Sequence, residues 1–187
     1  MRPWAGIILI SFVTCISCTQ YTPKPRGYFR IEPDSPCYRL FSETGLPYTF
    51  RISQLVIAEI DTSTQSIVLS YPELKAKIYC NYLAITPSTL SKAADECRAL
   101  VVRQSMNVAA VKEQEYDNPA EHVFGSLFLL DEGAASPLQF MLTDSVSRFI
   151  RGALYYDCTP NADSLAPVNR YLKQDIIELI QSFHWER

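Results

Sequence analysis

Between Ala109 and Tyr156 the chain holds four apolar segments joined by short links: Ala109 to Glu115, Val123 to Leu130, Leu138 to Thr143 and Arg148 to Tyr156. Their alternation and their β-branched and aromatic content read as strands. Asp117-Asn118-Pro119 and Glu132-Gly133 supply turn residues between them. A parallel crossover needs about a dozen residues, so links this short favour antiparallel neighbours. The same reading makes strands of Tyr28 to Ile31, Tyr38 to Phe41, Tyr48 to Ile52, Ile67 to Tyr71 and Ala76 to Tyr82, interrupted by Pro33, Pro36 and Gly45-Leu46-Pro47. Two stretches have a different period. Leu90, Ala93, Ala94, Cys97, Leu100 and Val101 fall on one helical face, with Thr86 as N-cap and Pro87 in the first helical position, where its missing N–H is no loss. Leu165, Val168, Leu172, Ile176, Leu179 and Phe183 alternate in steps of three and four, with Asp163 or Ser164 as cap and Pro167 in the first turn. The expected architecture is α+β: one domain, a mostly antiparallel sheet with two amphipathic helices packed on it.

The N-terminus carries an address rather than a fold. Arg2 is a short positive region, Trp4 to Thr14 is apolar, and Ser17 precedes Cys18. That is the layout of a secretory signal, and the run is shorter than the roughly 20 apolar residues a membrane span needs. Cys15-Ile16-Ser17-Cys18 resembles a bacterial lipobox, with Cys15 where Leu is usual, which makes Cys18 the lipidated first residue of the mature chain and residues 1–17 its signal. Each buried acyl CH₂ contributes about 0.8 kcal/mol, so several chains hold a protein stably at a bilayer. Thr19 follows Cys18, in place of the Asp that commonly retains lipoproteins at the inner membrane, and no acidic run follows as an export tag. The expected location is the periplasmic face of the outer membrane. Residues 18–26, with Pro23 and Pro25, form an extended linker, and the globular body is expected to begin at Gly27.

Charge and motifs narrow the function classes. The 187 residues carry 17 Lys+Arg against 20 Asp+Glu, and removing Arg2 with the signal takes the net charge from -3 to -4. No basic stripe of the kind nucleic acid requires is present. The chain lacks G-x-S-x-G, H-E-x-x-H and a phosphate-binding loop, and its two histidines, His122 and His184, have no catalytic partner nearby in sequence. No C-x-x-C or paired His/Cys spacing suggests a metal. No cofactor and no small-molecule substrate is therefore expected. With Cys15 and Cys18 assigned to the anchor, Cys37, Cys80, Cys97 and Cys158 remain, either as disulfide cysteines in an oxidising compartment or as buried thiols. Sequence alone does not choose a pairing.

Three polar clusters are candidate partner-binding or structural sites. Lys24, Arg26, Tyr28, Phe29 and Arg30 lie where linker meets body; their alternative role is to cover the first strand with their stems. Arg151 and Tyr155 share a strand face, with Asp144 as the carboxylate expected to pair with Arg151. Asn161 and Asp163 belong to a turn and helix start.

These residues also carry a resemblance. Lys24-Pro25-Arg26-Gly27-Tyr28-Phe29-Arg30-Ile31 after a lipidated Cys, Ala135 to Phe140, Leu142-Thr143-Asp144-Ser145, Phe149 to Tyr156, Pro160 to Val168, Asp175-Ile176 and Trp185 resemble the gliding motility lipoprotein GldD family of Bacteroidota in order and spacing. Ser70-Tyr71 and Glu113-x-Glu115-Tyr116 fit as well. Gln104 and Arg148 occupy positions where that family often has His, so any chemistry resting on those His is closed to this member. The cysteine set is not a family feature. The resemblance implies a lipoprotein associated with gliding motility and type IX secretion, with other gliding lipoproteins as partners. A non-enzymatic assembly or stabilising role is the expectation. An envelope module binding a lipid, glycan or peptide is the alternative, and a hydrolase using Ser136, Ser145 or a Cys is the third reading.

Overall fold

A computed structural model describes residues 37–105, 111–130, 134–157 and 162–186. The signal, Cys18, the cluster Lys24, Arg26, Tyr28, Phe29 and Arg30, the strand expected at Tyr28 to Ile31, the Glu132-Gly133 turn, Cys158 and Asn161 lie outside the described residues, as does the Asp163 side chain.

Among the described residues, ten strands and two long helices follow one another as β1 (Tyr38–Phe41), β2 (Tyr48–Ser53), β3 (Ile57–Asp61), β4 (Ser66–Tyr71), β5 (Ala76–Ala84), α1 (Pro87–Gln104), β6 (Val111–Asn118), β7 (Val123–Leu130), β8 (Leu138–Thr143), β9 (Arg148–Tyr156), α2 (Ala162–Gln181) and β10 (His184–Trp185). A 3-10 turn at Pro72–Leu74 joins β4 to β5. Seven strands form one antiparallel sheet in the order β3-β4-β5-β9-β8-β7-β6; β1, β2 and β10 form a second. The expected α+β architecture is what the chain adopts.

Both faces of the large sheet carry buried apolar side chains, the inner face along most of its strands and the outer face at β7, β8 and β9, and the strand period separates them. On the inner face Ile67, Leu69, Ile78, Cys80, Leu127, Phe140, Leu142, Ile150 and Leu154 share a core with α2 (Leu172, Ile176, Leu179, Ile180) and the small sheet (Tyr48, Phe50, Ile52). Phe183 stacks on Phe50 at 5.9 Å and lies 5.7 Å from Tyr48, which ties the end of α2 to β2. On the outer face Phe128, Leu130, Met141 and Phe149 pack against Cys97 and Val101 of α1. The helical period of α1 read from sequence selects this face. Its entry is fixed by Thr86, whose carbonyl accepts from the Thr89 and Leu90 N–H groups and whose own N–H donates to Thr89 Oγ1 at 2.9 Å.

α2 departs from expectation at its start. It begins at Ala162, ahead of both proposed caps, which makes Pro167 its sixth residue and places it beyond the first turn. The apolar period fixes which face a helix buries but not its first residue. Strand β3 was not expected, because Ile57-Ala58-Glu59-Ile60-Asp61 has no alternation; only Ala58 packs against the core. β10, two residues long, pairs His184 with Thr49 and Trp185 with Tyr48 and has no sequence signal of its own.

Candidate functional site

α1 leaves the end of β5 and reaches β6 at the far edge of the sheet, so it crosses β9, β8 and β7. Among the described residues no helix packs over the outer face of β3, β4 and the first part of β5. Side chains there alternate outward by register: Ile57 and Glu59 from β3, Val68 from β4, and Lys77, Tyr79, Asn81 and Leu83 from β5. Ile57 is 57% exposed, Leu83 44% and Tyr79 38%, three large apolar groups spaced along this face. A trough of about 680 Å³ runs across this face, edged by Glu59 and Asp61 at one end and by Tyr79, Asn81 and Leu83 at the other.

The trough meets α1 at β9. Arg151 stands opposite Asn81 and Tyr155 opposite Lys77, both on the outer face as the sequence pattern required. Tyr155 packs edge-on against Tyr79 at 5.7 Å, and its hydroxyl accepts from Gln104 Nε2 at 2.9 Å. Gln104 Oε1 in turn accepts from Gln139 Nε2 at 2.7 Å. This chain of amides and phenol satisfies polar groups at the seam between α1 and the sheet. Gln139 itself is almost wholly buried, and its role has no sequence signal, since its partner lies 35 residues away. Gln104 was visible beforehand only as a departure from a family pattern.

The expected Asp144–Arg151 ion pair does not form. Asp144 Oδ1 accepts from the N–H groups of Val146, Ser147 and Arg148 at 2.8, 2.8 and 2.9 Å, and Oδ2 accepts from Ser147 Oγ at 3.0 Å. Burial alone would raise its carboxyl; the Val146, Arg148 and Ser147 N–H groups outweigh burial and hold it below the usual carboxylate range. The carboxylate folds back over its own turn because Ser145 is in the left-handed region at φ 64°, which turns three successive N–H groups toward it. Its cation neighbour is Arg148, 3.9 Å away, whose guanidinium also lies 5.9 Å from the centre of the Trp185 ring.

Arg151 makes no ion pair among the described residues, and its buried Nε has no hydrogen-bond partner there. It lines a cavity of about 140 Å³ between α1 and the sheet, together with Asn81, Leu83, Ala93, Glu96, Cys97, Leu100 and Phe149. Burial pushes the Cys97 thiol up to about 11, even though Arg151 and Arg98 pull the other way. Cys80 is on the inner face, where burial raises it to about 12. The sheet separates these two cysteines, and Cys37, Cys80 and Cys97 are all free thiols.

Among the described residues neither candidate serine hydroxyl makes a hydrogen bond to a histidine or a carboxylate. Ser136 is fully buried and its hydroxyl has no partner among the described residues; Ser145 is an exposed turn residue. His184 Nδ1 lies 2.9 Å from Glu121 Oε2 at the surface, a partner 63 residues away that no local motif could reveal. His122 offers its carbonyl to Trp185 Nε1 at 3.1 Å. Gln104 and Arg148 are on opposite faces of the sheet, so the two positions do not belong to one site. No group of three or more metal-ligating side chains occurs among the described residues, and no helix among them is long and apolar enough to cross a membrane.

A second buried polar centre is structural. Asp175 of α2 accepts from Tyr38 of β1 at 2.9 Å and Tyr71 of β4 at 3.0 Å. Burial raises its carboxyl, and the two hydroxyls offset this only in part. Tyr71 and Asp175, two separate pieces of the sequence resemblance, thus meet in space.

The fold and this face define an α+β domain with one sheet face half covered by a helix and half open, in the manner of a protein that presents a surface. The chain matches the family described as gliding motility lipoprotein GldD over residues 18–185, and it belongs to that family. It matches none of the curated proteins. Among solved structures it is similar to the solution structure of cyanobacterial PsbP (CyanoP) from Synechocystis sp. PCC 6803, at 13% identity over 87% of this chain and 99% of that one, with a TM-score of 0.46. Membership of a gliding motility lipoprotein family indicates association with the cell envelope and with protein partners.

Proposed function

We propose that this chain is a lipid-anchored lipoprotein at the periplasmic face of the outer membrane, and that it acts as a non-enzymatic assembly or stabilising component of the gliding motility and type IX secretion machinery. The observation that carries the reading is the open outer face of β3, β4 and β5, where Ile57, Tyr79 and Leu83 remain exposed beside a helix that covers the rest of the sheet. Tyr79 and Leu83 lie along a trough edged by Glu59 and Asp61, and an open sheet face of that make-up offers room for a partner segment. The anchor is supported by the layout of residues 1–17 and by a family match that starts at Cys18.

Photo-crosslinking residues placed at Tyr79 and Leu83 in native envelopes should capture gliding or secretion lipoproteins, and a residue placed at Lys92, exposed on α1, should not. Leu83→Asp, which puts a charge into the face, should abolish capture from Tyr79. If capture is equal at all three positions, or if none of the captured proteins is an envelope lipoprotein, the docking role fails. Cys18→Ser should release the protein to the soluble fraction or leave the precursor uncleaved; processed protein retained in the membrane contradicts the anchor. Turnover of a small molecule by the purified chain would overturn the non-enzymatic role.

A further inference from the structure

We propose that the cavity between α1 and strands β5 and β9 is a carboxylate pocket, with Arg151 as its anchor, and that it takes a glutamate side chain of the polypeptide docking on the open face. This rests on the docking role above and names the chemistry of its central contact.

A guanidinium withdrawn from water calls for an anion, because the cost of desolvating it is recovered only through a charge partner and hydrogen bonds. Arg151 is half-buried; it makes no ion pair among the described residues, and its buried Nε has no hydrogen-bond partner there. The near carboxylates are committed or displaced: Asp144 is occupied by its own turn, and Glu113 pairs with Arg98 at 3.5 Å. Glu96 lies on the cavity rim with Lys92 3.9 Å from its carboxylate, and it makes no ion pair with Arg151. The planar fork of Arg suits a carboxylate in two-pronged geometry.

Size and lining select the ligand further. The cavity measures about 140 Å³; an engineered protein cavity of about 150 Å³ accepts benzene, a guest of six heavy atoms. From Cβ outward a glutamate side chain has five. Leu83, Ala93, Leu100 and Phe149 give its methylene stem apolar walls, and the Asn81 amide is beside the guanidinium. Glu96 at the rim disfavours a dianion such as phosphate. Asn81 and Leu83 line both this cavity and the open trough, so a backbone crossing the trough can drop one acidic side chain toward Arg151. Arg151 would then join Tyr79 and Leu83 as a buried anchor of the interface, the kind of residue on which binding energy concentrates.

The test uses the full chain in detergent micelles with ¹⁵N-labelled arginine and follows the Arg151 Nε–H resonance by NMR. The probe is glutamate blocked as its N-acetyl, N-methylamide derivative; the control is the glutamine counterpart, identical in shape and uncharged. Expected is a saturating shift of Arg151 with the glutamate probe and none with the glutamine probe. Glu96→Gln, which removes the rim charge, should tighten binding about threefold. Ala93→Leu, which fills the cavity from α1 and keeps the guanidinium, should abolish the shift, so the result does not depend on an Arg151 variant folding. An Arg151 resonance that stays still, moves equally with both probes, or drifts without saturation as it does with sodium chloride overturns the pocket. An unmoved Arg151 leaves the crosslinking at Tyr79 and Leu83 untouched, and loss of crosslinking leaves the titration untouched, so the two readings fail separately.

Discussion

Gly152 gives the sharpest test of how the core is packed. It sits mid-strand in β9 on the inner face, directly opposite Phe140 of β8. Phe140 is fully buried and its ring lies across the glycine. A Cβ at position 152 would fall inside van der Waals contact of Phe140 Cε1 and Cζ and 2.7 Å from Cδ1. The ring has no solvent to retreat into, so Gly152→Ala forces it off its rotamer or spreads β8 from β9. Overpacking of this kind costs about 1–3 kcal/mol, and a fully enclosed ring argues for the upper end, about 3 kcal/mol. At roughly 2–4 °C per kcal/mol for a chain of this length, the melting temperature should fall by about 6–12 °C. Phe140→Leu deletes the two atoms that collide hardest, and alone should cost about 1 kcal/mol. The two changes share a cavity, so they should not add: the double variant should lose about 2 kcal/mol, where independent effects would give about 4. Urea denaturation of all four proteins, followed by circular dichroism, measures the cycle. A Gly152→Ala protein melting within 2 °C of the parent, or strictly additive losses, would refute the packing argument.

Other outcomes follow from the polar centres and thiols. Asp175 titrates above its ordinary 3.8, so the folded chain holds this proton more tightly than the unfolded one, and the associated stability grows as pH falls from neutral toward that value. Asp175→Asn should therefore be at least as stable as the parent at pH 7 and lose that rise, while Asp175→Leu, which strands the Tyr38 and Tyr71 hydroxyls, should cost about 2 kcal/mol; pH-dependent urea titrations distinguish them, and a parent whose stability falls steadily from pH 7 to 4 with no difference in Asp175→Asn would contradict the assignment. Asp144 is the opposite case: its stabilisation is complete above 3.8 and is lost as pH falls through its lowered folded value, and Asp144→Ala, by freeing three turn N–H groups, should cost about 2 kcal/mol by thermal denaturation. Site-resolved alkylation by mass spectrometry should label exposed Cys37 in the folded protein and reach Cys80 and Cys97 only on unfolding; early labelling of Cys80 would contradict its place in the inner core.

Local chemistry determined a good deal of this molecule from sequence alone. The bounds of β7, β8 and β9 follow from apolar runs closed by turn residues, and α1 follows from its period and the Thr86-Pro87 start, because these signals are set within a few residues of chain. The antiparallel pairing along β6, β7, β8 and β9 follows from link length, whereas the β5–β9 pairing does not, and Arg151 and Tyr155 share a face because strand geometry alternates. Tertiary structure decided what depends on distant partners. β3 exists because β4 offers its edge, although its own sequence does not alternate, and β10 is a strand only through β2. Asp144 turned toward its own loop because Ser145 adopts a left-handed backbone that brought three N–H groups nearer than any arginine. The open face is likewise invisible in sequence. Tyr79 reads as an ordinary strand residue and Leu83 falls just past the expected strand, and the path of α1 over β9, β8 and β7 leaves them exposed, with the partnerless Nε of Arg151 beside them. A sequence states which side of an element is apolar; which apolar sides find a cover is settled by the packing of elements far apart in the chain.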